Sequence, residues 1–472
     1  MQLVRMPGAQ RVARMSDARR DGRSERGTAL AASMLALALV AAGTPEVMAS
    51  TGSQSGAVGA VFVATNAWSG GNQILTFPRY ADGSLGPVSA ATSTGGRGSG
   101  PGQFAPIVND PLGSQNSLIA DPTGKLLFAV NAGSGSVSSF NVGRGGLTLV
   151  DTKATVPSGA SAQPNPFPVS LAYAAGRLYV LNAIGDSVTG FTVGQNGHLA
   201  SFQNCQLPAL PPGNPLDQYP ATALSSQQAV DTQLPGQVGV SPDGHWLVVT
   251  SKEGPISTTN PPGGTGDQFP FGPTSGPGHI YAYALGSTGK LACGAPRTTT
   301  MPVFSDGHGT FPFSFTWSAQ GRLLVTEVFG QSDQPSSLPA GLSAVSSYTL
   351  NADGTFTLQR MTPDPLPVPC WIVRSGNNVF VANFLGPDFG LGAISAYTVA
   401  PDGGLVDPTP APVPTASLGG GSDPIDVAIT SDGSFLYQLA PGPNVGTTGP
   451  TFQVYPFAVG SNGSLTPLTA VN

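Results

Sequence analysis

Charge is what this chain of 472 residues has least of: Asp, Glu, Lys and Arg together make up 9% of it, with only 19 Lys plus Arg and a net charge of −6. No basic stripe is present, so the electrostatic footprint that nucleic-acid binding requires is missing and nucleic acid is excluded as a partner. Cysteine is also scarce, at three residues, and His at four. There is no GxSxG, HExxH or CxxC, which removes the sequence grounds for a serine hydrolase, a zinc protease or a dithiol redox centre. No apolar run reaches the roughly 20 residues of a membrane-spanning helix. What is abundant is Gly, at 64, and Pro, at 46. With 40% hydrophobic residues falling in strand-length runs, they read as turn punctuation rather than disorder.

Those runs repeat. VFVATN from Val61, LLFAVN from Leu126, LYVLN from Leu178, WLVVTS from Trp246, LLVTE from Leu323, VFVAN from Val379 and FLYQLA from Phe435 each open a similar unit. After a second β-like run, each unit reaches a Gly-centred turn closing at Leu85, Leu147, Leu199, Leu291, Phe356, Leu405 or Leu465. Repeats of roughly 40 to 50 residues built from short strands predict a β-propeller, because a four-stranded blade cannot bury its faces alone and a ring of blades can. The fold class expected is all-β, a seven-bladed β-propeller over 57–472 with long loops on one face. Inner strands precede the second strands at Ser117, Phe167, Gln237, Phe311, Cys370 and Pro424. The first blade has none of comparable quality, so either GSQSGAVG from Gly52 fills the place or that blade has three strands.

Upstream, arginines from Arg5 to Arg26, an apolar stretch from Ala29 to Ala42 and small residues ending at Ala49 read as an export signal peptide over 1–49, with a signal anchor as the alternative. The mature protein is then expected to be secreted or periplasmic, without a membrane span, and monomeric. Cys205 and Cys293 lie just beyond the Gly turns of consecutive repeats, in outer strands of neighbouring blades, which leaves room for a disulfide. Cys370, beside an apolar strand, reads as a small buried thiol rather than a nucleophile.

Several segments together resemble a known family: TGGRGSG from Thr94, LGSQNSLIADPTGKLLFAVNAGSGSVSSF from Leu112, FPVSLAYAAGRLYVLNA from Phe167, PCWIVRSGNNVFVAN from Pro369 and PIDVAITSDGSFLY from Pro424. The resemblance is to the seven-bladed propeller lactonases, which include phosphogluconolactonase-type and carboxymuconate-cyclase-type members and many exported ones. It implies arginines, a histidine and a carboxylate around the channel mouth, holding a substrate and moving a proton. Two departures matter. Asn116 and Ser117 stand where the phosphogluconolactonase branch implies a basic residue, and Gln233 and Gln237 where it implies a Glu, so that particular activity does not carry over.

Opening a lactone needs a base to activate water and a donor or cation for the oxyanion. The residue types that could do this near the mouth give the catalytic candidates Lys252, Glu253, Glu327 and His308. Arg97, Trp371, Arg374 and Asp426 are the candidates for substrate binding. Each has a plainer reading: Glu327 as a strand-end group, His308 as a solvated loop residue, Asp426 as a turn acceptor. Asn66, Asn131, Asn182 and Asn383 end second strands in a repeated, turn-forming way, so no metal and no cofactor is expected. Two functions follow. One is hydrolysis or isomerisation of a small lactone or cyclic substrate; the other is non-catalytic binding of carbohydrate, peptide or protein, a surface ligand, through the loop-decorated face.

Overall fold

A computed structural model describes residues 33–38, 56–99, 112–155, 166–183, 187–206, 235–252, 278–294, 296–302, 310–329, 343–366, 368–384, 392–406, 413–414, 424–446 and 449–471. They form seven separate sheets, each a blade whose strands pair in chain order from the inside outwards. The second strands, Gly59–Ala64, Leu126–Asn131, Arg177–Asn182, Trp246–Ser251, Arg322–Phe329, Asn378–Asn383 and Phe435–Gly446, coincide with the seven apolar runs. Their near-continuous apolarity has a physical cause. Leu127, Phe128, Ala129, Leu178, Val180, Leu247 and Val249 are fully buried because each blade is covered on both faces by its neighbours.

The Gly turns do more than reverse the chain. In six blades the glycine between the third and outer strands rests on the residue that opens the second strand of the preceding blade: Gly197 on Leu126, Gly289 on Arg177, Gly354 on Trp246, Gly403 on Arg322, Gly463 on Asn378 and Gly83 on Phe435. The last of these closes the ring between the first and seventh blades. All six have positive φ, which glycine adopts freely, and at Gly83 and Gly354 an added Cβ would also collide with the aromatic ring.

Asn66 takes the left-handed backbone of a turn, with φ +49°, whereas Asn131, Asn182 and Asn383 act as latches. Asn131 Nδ2 donates to Ser138 Oγ at 2.7 Å while its Oδ1 accepts from Thr94 of the preceding linker at 2.6 Å. Asn182 bonds Thr189 and Asn383 bonds Ser395 in the same way. In the sixth blade the linker contributes Asp364, which accepts from Ser395 at 2.9 Å and from Tyr397 at 2.6 Å. Burial pushes Asp364 up to about 6, against the lowering effect of those hydrogen bonds.

The first blade departs from expectation. Its inner position holds neither GSQSGAVG nor a gap but Ser33–Ala38, paired in parallel with Gly59–Ala64, Ser33 opposite Gly59 and Ala38 opposite Ala64. The second strand of that blade offers an unpaired backbone edge, and an upstream strand-length apolar run satisfies it. Cys205 and Cys293 are joined, with Cα atoms 5.2 Å apart, stapling the outer strand of the third blade, Leu199–Gln206, to the turn that precedes the outer strand of the fourth, Arg297–Thr300. Cys370 is buried and forms no disulfide.

Candidate functional site

The inner strands leave a central channel, and the chain itself crosses its mouth. The short segment from Leu112 to Asn116, before the inner strand of the second blade (Leu118–Ala120), reaches three other blades. Gln115 N donates to Gly236 O at 2.9 Å, in the fourth blade. Its side-chain amide pairs with the backbone of Ile372 in the sixth, Nε2 donating to the carbonyl at 2.8 Å and Oε1 accepting from the N–H at 3.0 Å. In the third blade Ser114 Oγ donates to Val169 O and Ser170 Oγ donates to Gln115 O, at 3.0 and 2.6 Å. A glutamine suits this place because its amide reproduces both halves of a strand ladder bond. Gln237 does the same between the fourth and fifth blades, with Phe315.

Two sequence candidates meet at this strap. Trp371 is buried, and its Nε1 donates to Ser114 O at 3.1 Å. Lys252, directly after the second strand of the fourth blade, is 4% exposed and its Nζ donates to Gly113 O. The ammonium lies 4.6 Å from the centre of the Phe313 ring, and that ring meets Trp371 edge-on at 5.2 Å. An ammonium over an aromatic face is held by the ring quadrupole, more strongly where water is excluded. Phe313 was not singled out from the sequence. Only the bulge between Pro312 and Phe315 turns it towards the strap, and a bulge leaves no clear mark in a run such as FPFSF.

The other candidates fall elsewhere. Glu327 is wholly buried on the face of the fifth blade that packs against the fourth, in line with Leu323 and Val325, and Tyr348 Oη donates to its Oε1. Burial raises its pKa, outweighing the hydrogen bond from Tyr348. It is therefore an interface group rather than one at the mouth. Arg374 is half-buried at the far end of its inner strand, next to the Gly376 turn whose carbonyl it binds, and burial lowers its pKa. That turn lies at the opposite end of the strand from the linker that enters at the mouth, so Arg374 does not join Lys252. Asp426 is fully buried in the inner strand of the seventh blade, accepting from Val427 N at 2.9 Å. Arg97 is exposed on the linker between the first and second blades, its guanidinium 5.5 Å from the Trp68 ring centre. Glu253 and His308 lie outside the described residues, on segments that join Lys252 and Thr310.

Among the described residues no group of three His, Cys, Asp or Glu could hold a metal ion, and no helix is long and apolar enough to cross a membrane. The described residues that precede the segments 100–111, 207–234, 253–277 and 330–342 stand on the mouth side of their blades.

Fold and site together define a seven-bladed β-propeller with a cation and aromatic residues at a strapped channel mouth. Among solved structures it is similar to a periplasmic gluconolactonase from Pseudomonas aeruginosa, with 19% identity, covering 87% of this chain and 95% of that one at a TM-score of 0.53. It is also similar to a candidate 6-phosphogluconolactonase from Bacteroides uniformis, with 18% identity, 84% and 90% coverage and a TM-score of 0.52. At these identities the likeness is one of fold. No protein-family model matches the chain, and no curated protein matches it in sequence.

Proposed function

We propose that this protein is an exported, lactonase-like propeller acting on a small lactone or cyclic ester at the strapped face of its channel. The observation that carries the reading is Lys252, an ammonium buried at the mouth between the strap and Phe313. In this water-poor aromatic setting the charge of the ammonium is weakly screened. It would stabilise the oxyanion formed when water adds to the ring carbonyl. Glu253, next in the chain, is proposed to take the proton from that water, and His308 to return a proton to the ring oxygen as the C–O bond breaks. Trp371 and Arg97 are proposed to line the substrate's path. Support for export comes from the arginine-rich start, the small residues near Ala49 and the Cys205–Cys293 bridge, which persists in an oxidising compartment. Removing residues 1–49 would also remove Ser33–Ala38, leaving the inner edge of the first blade to be filled by another segment or by water.

A second reading is favoured by one fact: the strap carbonyls of Gly113 and Ser114 already take hydrogen bonds from Lys252 and Trp371. With the mouth closed in this way, the loop-bearing face would serve as a non-catalytic binding surface. Titrating the purified protein against a panel of five- and six-membered lactones, following acid release, separates the two. Turnover that falls in E253Q and H308N supports the enzyme, and no turnover of any lactone by the parent leaves the binding surface.

A further inference from the structure

The face opposite the strap carries a feature that the channel does not explain. Between the fourth and fifth blades lies a groove of about 660 Å³, lined by Asp243, His245, Trp246, Leu285, Trp317 and Asn351 among others. Two of the chain's four tryptophans meet there. Trp246 opens the second strand of the fourth blade, and Trp317 ends the inner strand of the fifth. Both are only half-buried.

The other blades act as internal controls. At the position of Trp246 they have Leu126, Arg177, Arg322, Asn378 and Phe435, and each packs on the glycine of the following blade. At the position of Trp317, which pairs with the second residue of the following strand, the third and sixth blades have Tyr173 and Arg374. The ring closes without indoles at these sites, so packing alone does not call for a pair of them at one interface. Trp317 is held by Phe315 edge-on and by Phe356, with ring centres 6.4 Å apart in both cases, and Trp246 by the backbone of Gly354. These contacts fix both rings in place before any ligand arrives.

The rim sets the ligand's chemistry. Asp243 is half-exposed, and although burial raises its pKa, hydrogen bonds from Ser241 and His245 outweigh that and keep the carboxyl below the usual range. An ionised carboxylate at the rim disfavours phosphates and other anions. Asn351 commits its Nδ2 to Thr355 and Thr357, which leaves its carbonyl oxygen to accept. The size falls within the roughly 300–1,000 Å³ of small-ligand sites, and a concave groove suits rings better than a protein face. Flat indoles for the C–H faces of a ring, beside oxygen acceptors for its hydroxyls, match a pyranose.

We infer that the groove between Trp246 and Trp317 is a binding site for a neutral carbohydrate of one to a few pyranose rings, separate from the channel mouth. It would hold the protein on a glycan while the opposite face remains free. The site does not depend on whether the mouth is catalytic.

The test is intrinsic tryptophan fluorescence and calorimetry on the full chain with maltotetraose, cellotetraose, chitotetraose and mannotetraose. At least one is expected to bind with Kd below about 1 mM, and W246A and W317A to weaken it by about tenfold or more. Because Trp317 also packs on Phe356, W317F is run beside it; it should melt like the parent and still bind several-fold more weakly. D243N should weaken binding while leaving the melt unchanged. No binding of any probe at about 10 mM, or parent-like affinity in folded W246A and W317F, overturns the site.

Discussion

Gly83 in the first blade and Phe435 in the seventh are in direct contact: a Cβ built on Gly83 would stand 2.0 Å from Phe435 Cδ1, and Gly83 has φ +84°. Tyr437 Oη adds a hydrogen bond to Gly83 O at 2.8 Å. This is the seam of the ring. Gly83→Ala is therefore expected to destabilise the protein by about 2–4 kcal/mol, from overpacking together with strain at positive φ. Urea melts measure it. The double variant G83A/F435A should recover part of the loss, and no recovery would mean that the contact is not what glycine protects.

Reducing the Cys205–Cys293 bridge, or making C205S/C293S, is expected to remove about 2–4 kcal/mol, since the bridge closes a loop of 88 residues in the unfolded chain. Non-reducing peptide mapping should recover the linked pair, with Cys370 outside any disulfide. Cys370 should react with thiol reagents only after denaturation, because it is buried.

Much of this architecture can be read in the residues. The second strands stand out because burial on both faces makes them continuously apolar, and the turns because their positive φ calls for glycine. The matching positions of Cys205 and Cys293 in adjacent repeats left room for the bridge that the structure shows. The first blade's inner strand was not legible, since Ser33–Ala38 sits in a segment that reads equally well as an export signal and pairs in parallel, against the hairpin order of the rest. The site was half legible. Lys252 and Trp371 were found from residue type and strand position, but the strap that unites them depends on long-range bonds such as Gln115 to Ile372, which no local pattern encodes. Glu327 went astray for a related reason: a residue at a strand end can face the channel or the next blade, and its partner Tyr348 decides which.

Asp364 makes a pH prediction. Its folded pKa of about 6 lies above the ordinary carboxylate value of 3.8, so between those limits the native state holds more protons than the unfolded one, and this group's contribution falls as pH rises through that window. The effect is at most roughly 3 kcal/mol. Asn imitates the protonated acid, so thermal melts of D364N and parent at pH 4.5 and 7.5 should show the variant gaining on the parent at the higher pH. An equal difference at both values would contradict the raised pKa.

Glu327→Gln should be mild for the same reason, changing stability by no more than about 1 kcal/mol, because Gln keeps an acceptor for Tyr348. Glu327→Ala should cost about 3 kcal/mol by leaving Tyr348 Oη buried without a partner. Turnover should survive E327Q. A loss of 100-fold or more in that variant, with folding intact, would return Glu327 to the chemistry.

Export is checked by the mass of the mature protein recovered from outside the cytoplasm, which should correspond to loss of about the first 49 residues. An intact N-terminus would instead keep Ser33–Ala38 available to the first blade.

The most direct test of the account is lactone hydrolysis by K252M, which keeps the length and apolar stem of the side chain over Phe313 but removes the charge. If Lys252 stabilises the oxyanion, kcat should fall by about 100-fold or more with KM changed far less, in a protein that stays folded at the assay temperature though destabilised by about 1–3 kcal/mol through loss of the bond to Gly113 O. Parent-like kcat in a folded K252M, or a parent that opens no lactone, would contradict it.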